Sequence, residues 1–269
     1  MSIPQQDQPR IFYEILKQDQ EVRPWLCMVH GFSHNRQYFS AQVTRFQPDY
    51  RLFLPDLRGH GQSSGLAGPY GIEEYTDDLV GALDEAGVNQ TIYWGTHTGA
   101  AIGLVLALRH PQRVSALILE GTFLPGFAMP RAAQLIDRAK SIAQSEGVQA
   151  ALADWFAHAD WFQYIQEHPQ QCRIDGLRKM MFSFTGTPWL SQPAPKPVTA
   201  VAELLDRIRQ PVLVYNGEED LPDFKRAANH LAACLPNVQC ERIAEAGGFP
   251  AWEHPSAVNE LVEQFLNRA

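Results

Sequence analysis

The sequence predicts an α/β fold built on a mostly parallel central sheet flanked by helices, with a helical cap inserted late in the chain. Three observations carry this. Short apolar runs alternate with helical patterns, at roughly 30 residues per unit, as parallel βαβ construction requires. Gly95-Thr96-His97-Thr98-Gly99 stands between a strand-like run and an apolar helix-like run, where a sharp turn brings two backbones together. A helix-only stretch then breaks the alternation, which resumes after it.

The elements follow in order. Ile11 to Leu16 and Trp25 to Val29 read as strands, the second apolar enough to be central. Tyr50 to Leu54 is a third strand, leading into Pro55-Asp56-Leu57-Arg58-Gly59-His60-Gly61-Gln62-Ser63. Ile72 to Ala86 places Tyr75, Leu79, Ala82 and Leu83 on one face of an amphipathic helix. Gln90 to Trp94 is the strand entering the Gly-x-x-x-Gly turn, Ala100 to His110 the helix leaving it, and Ala116 to Glu120 the next strand. Helical patterns over Ala132 to Glu146, Val148 to Ala159 and Cys172 to Phe184, then a proline-rich exit from Pro188 to Pro197, define the cap. The expected division is a core of residues 1–123 and 201–269 and a cap of residues 124–200. Val212 to Tyr215 and Cys240 to Ile243 supply the last strands, and Pro255 to Arg268 the closing helix.

Composition bounds the function. A chain of 269 residues, 45% hydrophobic, can bury a large core. A formal net charge of −8 argues against nucleic acid or an anionic membrane as partner. Met1 to Arg10 is polar with no apolar segment after it, and no run is long enough to span a bilayer, so the expectation is a cytoplasmic protein. The four cysteines (Cys27, Cys172, Cys234, Cys240) lack metal-ligand spacing and read as reduced thiols. The nine histidines build no paired-ligand motif, and no glycine-rich phosphate or dinucleotide fingerprint occurs; neither metal nor cofactor is expected. The expected partner is a small molecule, and the oligomeric state is not specified by the sequence.

Five motifs occur together: His30-Gly31 after a strand, the Pro55-to-Ser63 segment, the Gly95-x-x-x-Gly99 turn, Arg109-His110-Pro111-x-Arg113-Val114, and Gly217-x-x-Asp220. In this order the chain resembles the α/β-hydrolase superfamily over almost its whole length. That resemblance implies a nucleophile at the centre of the turn, a late His as base and an acid that orients it. Here the central residue is His97, and the late His position, in Gly247-Gly248-Phe249-Pro250, is Gly248. The acid maps onto Asp220.

Two of three triad members are therefore replaced, which argues against ordinary acyl-enzyme chemistry. One expectation is a relocated dyad, with His97 reaching into the space beside Gly248 to meet Asp220 and working by cofactor-free acid–base chemistry on a small apolar or aromatic molecule. The backbone N–H groups of Phe32 and Thr98 hold the oxyanion-hole positions that the resemblance implies. Glu120, Ser33 and His34 are candidate additional polar groups, Ser33 being expected to lack the strained backbone of an activated residue. Trp94, Phe123, Phe249 and Trp252 are candidate substrate contacts. Two alternatives stand beside this reading. One is a non-catalytic binding protein on the same scaffold. The other is a cofactor-independent ring-cleaving dioxygenase, which the segment Ser33-His34-Asn35-Arg36 and an acid at Glu120 resemble.

Overall fold

The computed structural model describes residues 10–16, 23–190 and 194–268. Most of the polar start of the chain (residues 1–9), the segment 17–22 before the second strand, residues 191–193 of the proline-rich exit and the last residue lie outside the described residues. The described residues form one seven-stranded sheet in the order β1-β3-β2-β4-β5-β6-β7. The strands are β1 (Tyr13–Leu16), β2 (Trp25–Val29), β3 (Arg51–Pro55), β4 (Thr91–Thr96), β5 (Val114–Glu120), β6 (Val212–Gly217) and β7 (Val238–Ile243). β1 pairs antiparallel with β3 at one edge, and every other pairing is parallel. Strands β2 and β6 are buried at every position, which is why Trp25–Val29 and residues 212–215 read as apolar runs: helices cover both faces of the sheet.

The helices are α1 (Ser40–Phe46), α2 (Ile72–Glu85), α3 (Thr98–Arg109), α4 (Pro130–Glu146), α5 (Val148–His158), α6 (Gln163–Glu167), α7 (Ile174–Phe182), α8 (Thr187–Leu190), α9 (Pro222–Cys234), α10 (Pro250–Glu253) and α11 (Pro255–Leu266). Helices α4 to α8 all fall between β5 and β6, where the alternation breaks in the sequence. Helix α9 is absent from the sequence reading. Its buried stripe is Phe224, Ala227, Ala228 and Leu231, and two alanines give a weak apolar period. The local cue was Pro222 at the first turn, a position where proline costs no hydrogen bond.

The topology locates the site. From β2 the chain passes to β3 on one side, while β4 lies against the other side of β2. The order therefore reverses between β2 and β4, and a crevice opens at the carboxyl ends of these two strands, the usual ligand position in an open α/β sheet. The loop Gly31–Asn35 leaves β2 there, and His97 leaves β4.

Candidate functional site

The turn at His97 is tight for a steric reason. A Cβ on Gly95 would lie 2.4 Å from the Gly99 carbonyl carbon, and one on Gly99 would lie 2.1 Å from the Val29 oxygen. Only glycine permits helix α3 to start this close to β4 and β2. The residue between them takes the strain: His97 has φ 50° and ψ −105°, a conformation unusual for any side chain. Its backbone is fixed by hydrogen bonds from its N–H to the Glu120 carbonyl, at 2.9 Å, and to its carbonyl from Ala101 N–H, at 3.1 Å.

The His97 ring is buried and held at both nitrogens. Nδ1 lies 2.8 Å from Thr96 Oγ1, and Thr96 Oγ1 donates to Glu120 Oε1 at 2.8 Å. The single hydroxyl proton of Thr96 is committed to Glu120, so Oγ1 accepts from Nδ1–H. On the other side, the Trp161 indole Nε1–H, which can only donate, points at His97 Nε2 over 3.2 Å. Both neighbours thus select the neutral Nδ1–H tautomer. Burial drives the ring pKa down to about 3, opposed by a backbone group of Gly248. Phe224, Phe249 and Trp161 pack around the ring with centroids 5.4, 5.1 and 5.1 Å away.

The relocated dyad is not formed. The Asp220 carboxylate accepts from Asn216 Nδ2 at 2.6 Å and from Leu221 N–H at 2.7 Å, while both His97 nitrogens are engaged elsewhere. Burial pushes the Asp220 pKa up to about 7 in spite of those two donors. Nor does Gly248 leave a space for the His97 ring. A Cβ at Gly248 would stand 2.5 Å from Trp161 Cδ1 and 3.0 Å from Trp161 Nε1. The indole, carried in by the segment after α5, occupies the place expected for an imidazole.

Glu120 is the acid connected to His97. It is fully buried at the end of β5 and accepts from four donors: Tyr38 Oη, Thr96 Oγ1, Tyr215 Oη at 2.7 Å and Ala251 N–H at 2.9 Å. Burial raises its pKa and the hydrogen bonds counter that rise. The donors come from four separate segments, so this carboxylate ties the elbow, β6, the loop after β2 and α10 together.

Beside His97 lies a cavity of about 370 Å³, within the range of small-molecule pockets. Phe32, Ser33, His34, His97, Thr98, Phe123 and Phe249 line its floor, joined by Tyr75 from α2 and Ile136, Lys140, Trp155, Trp161 and Phe162 from the segment between β5 and β6. Thr98 opens α3, so its N–H has no intrahelical acceptor. No backbone acceptor pairs with Phe32 N–H among the described residues.

Several expectations need correction. Ser33 has φ 60°, so its backbone is strained after all, and its hydroxyl is buried without a partner. Trp94 lies in the core, between Phe39 and Phe46, with its indole N–H on Tyr215 Oη at 2.9 Å; a strand residue preceding Gly95 faces the helix layer and cannot reach the crevice. Trp252 does not line the cavity either: it stacks on Tyr38 and donates to the Cys172 carbonyl at 2.9 Å, which fixes α10 against the loop before α7. The structural reading of two other polar residues stands: Asp56 accepts from Arg36 and from Gln62 N–H, fixing the turn after β3, and His254 stands at the start of α11 without a side-chain capping hydrogen bond. Thr96, Tyr75 and Lys140 were not among the sequence candidates. Thr96 adjoins the elbow residue, which was the available signal; nothing local marks the other two.

The described residues contain no cluster of three or more potential metal ligands, and among them no helix is long and apolar enough to cross a membrane. All four cysteines are free thiols.

Residues 24–142 match the family model of the alpha/beta hydrolase fold. The chain is 26% identical over 253 residues to 3-oxoadipate enol-lactonase 2 of Acinetobacter baylyi, covering 93% of this chain and 91% of that protein. It is 29% identical over 223 residues to 2-hydroxymuconate semialdehyde hydrolase of Pseudomonas putida, covering 81% of this chain and 78% of that one. Among solved structures, the enol-lactonase from Burkholderia xenovorans superimposes with a TM-score of 0.81 at 24% identity, covering 96% of each chain. The family model, the sequence relatives and the superimposed structure agree: this chain has the α/β-hydrolase fold.

Proposed function

We propose that this protein binds a small apolar or aromatic molecule in the cavity beside His97, with residues 124–200 as its cap, and does not perform acyl-enzyme hydrolysis. The observation that carries this reading is the Trp161 indole N–H on His97 Nε2. A general base needs a free lone pair and a pKa near the working pH. Here the lone pair is occupied by a donor and burial holds the ring at about 3. Asp220 is satisfied by Asn216 and Leu221 and is unavailable to orient an imidazole. The relatives named above are a lactonase and a hydrolase of small molecules, which supports a small-molecule occupant for the same cavity.

The test pairs two measurements on the purified chain. Small aromatic probes are expected to quench tryptophan fluorescence saturably at one site, since Trp155 and Trp161 line the cavity. Activated esters such as p-nitrophenyl acetate are expected to give no burst of product. A burst abolished by His97→Ala would sink the binding reading.

A second reading has one observation in its favour. The His97–Thr96–Glu120 chain fixes the tautomer as a catalytic His requires, with Glu120 in the orienting role. In this reading Trp161 moves away when ligand enters and Nε2 takes a proton. Nitrogen-15 NMR of the ring separates the two: binding alone expects His97 to remain the neutral Nδ1–H form to below pH 5, whereas proton transfer expects a midpoint between pH 6 and 7 in the liganded state.

A further inference from the structure

The chemistry of the cavity wall narrows its occupant, an inference that rests on the binding reading above. In a chain of net charge −8, the described residues lining this cavity include no Asp or Glu, and the one charged side chain is Lys140. Ser33 is 1% exposed and His34 4%, yet Ser33 Oγ and both His34 ring nitrogens lack a hydrogen-bond partner. Burial, with the His97, His30 and His60 rings nearby, holds His34 well below its ordinary pKa and therefore neutral; the Phe32 carbonyl opposes this, but neither ring nitrogen makes a hydrogen bond of acceptable geometry. Tyr75 Oη and Trp155 Nε1, also in the wall, are likewise buried and unpaired. Five orphaned polar atoms around one cavity is a high density, because native proteins leave few such atoms unsatisfied and each costs stability.

Their donor balance is one-sided. Trp155 Nε1–H, Phe32 N–H and Thr98 N–H can only donate; Ser33 and Tyr75 each bring a hydroxyl proton, and a neutral His34 brings one N–H. A ligand group that only accepts satisfies this set best. We propose that the cavity takes an aromatic or alicyclic carboxylate, its ring against Phe123, Phe162 and Phe249 and its carboxylate accepting from Ser33 Oγ–H and the His34 ring N–H. No proton or covalent bond is transferred in this binding step.

The test compares 2-naphthoate with its neutral isostere 2-naphthamide, by titration calorimetry on the full chain at pH 7. A hydrogen bond to a charged group corresponds to about tenfold or more in affinity, so 2-naphthoate is expected to bind at least about tenfold more tightly. Two variants remove the donors with little backbone cost. Ser33→Gly suits φ 60°, and His34→Phe keeps a ring between Tyr38 and Phe249. Each is expected to weaken 2-naphthoate about tenfold and 2-naphthamide far less. His34→Phe is also expected to raise the melting temperature of the unliganded protein, because two orphaned polar atoms leave the interior; loss of affinity with gain of stability is not what a packing role gives.

If both probes bind equally, or the variants leave the preference for 2-naphthoate intact, the carboxylate assignment is overturned and the binding reading survives. If neither probe binds, the binding reading falls with it. Should His34→Phe not fold, Ser33→Gly decides the same question alone.

Discussion

Two buried carboxylates end neighbouring strands of the sheet, and they have opposite surroundings. Glu120, at the end of β5, gathers four donors and reaches His97 through Thr96. Asp220, just beyond β6, has two donors, both within four residues of it, and its pKa rises to about 7. The motif position of the superfamily acid is thus occupied by an acid without an imidazole, and the imidazole is served from the adjacent strand. Sequence position identified the right residue types; the hydrogen-bond network decides which pair acts together.

This contrast is breakable by experiment, beginning with the largest effect. Glu120→Ala strands Tyr38, Thr96, Tyr215 and Ala251 in the interior and is expected to cost at least about 3 kcal/mol in urea denaturation, each unpaired donor being worth about 1–3 kcal/mol before relaxation. Asp220→Ala strands only Asn216 and Leu221 and is expected to cost less. The reverse order would break the comparison.

Next comes the reconstructed base. Gly248→His forces a side chain into Trp161 and is expected to destabilise by about 1–3 kcal/mol, as overpacking does. His97→Ser with Gly248→His is expected to show no ester hydrolysis. Adding Trp161→Ala should recover part of the lost stability, a non-additivity measurable by a double-mutant cycle.

The third expectation concerns pH. Burial raises Asp220 from 3.8 to about 7, and Glu253, which accepts from Gly247 and Phe249 N–H, from 4.5 to about 8. The folded state keeps protons that the unfolded chain has already released. The stability these groups give is therefore complete below their ordinary pKa values and lost as pH rises through 7 and 8. Stability measured by urea denaturation is expected to fall from about pH 4.5 to about pH 8, by at most about 1.4 kcal/mol per pH unit for each group, with Glu253 carrying the part above pH 7. Glu253→Gln should flatten the upper part of that slope.

The smallest effect sharpens the Glu120 side. Thr96→Val keeps the shape and removes the bridging hydroxyl between His97 and Glu120. A cost of about 1 kcal/mol is expected, with a shift in the His97 ring nitrogen resonances as Nδ1–H loses its acceptor. Unchanged resonances would separate Glu120 from His97.

Much of the fold was legible because it rests on local patterns: the buried runs of β2 and β6, the two glycines around His97, the break after Glu120. Helix α9 escaped because its buried face is half alanine. At the site, the elbow and the contacts Phe123 and Phe249 follow from position next to strand ends. Trp161 could not be assigned from sequence, since its hydrogen bond to His97 spans 64 residues and depends on how the segment after α5 enters the crevice. Trp94 was misplaced for a simpler reason: one residue along a strand exchanges the two faces of the sheet.

The pairing of Gly248 with Trp161 also bears on how this sequence can change. A histidine at 248 is barred while the indole stands 2.5 Å from where its Cβ would be, and removing the indole first opens a hole against Phe224 and the His97 ring. A change toward a serine–histidine–acid arrangement that begins at 248 or at 161 therefore costs packing before the other position has moved. Positions 161 and 248 thus form a ratchet of two mutually dependent side chains, each of which fixes what the other can become.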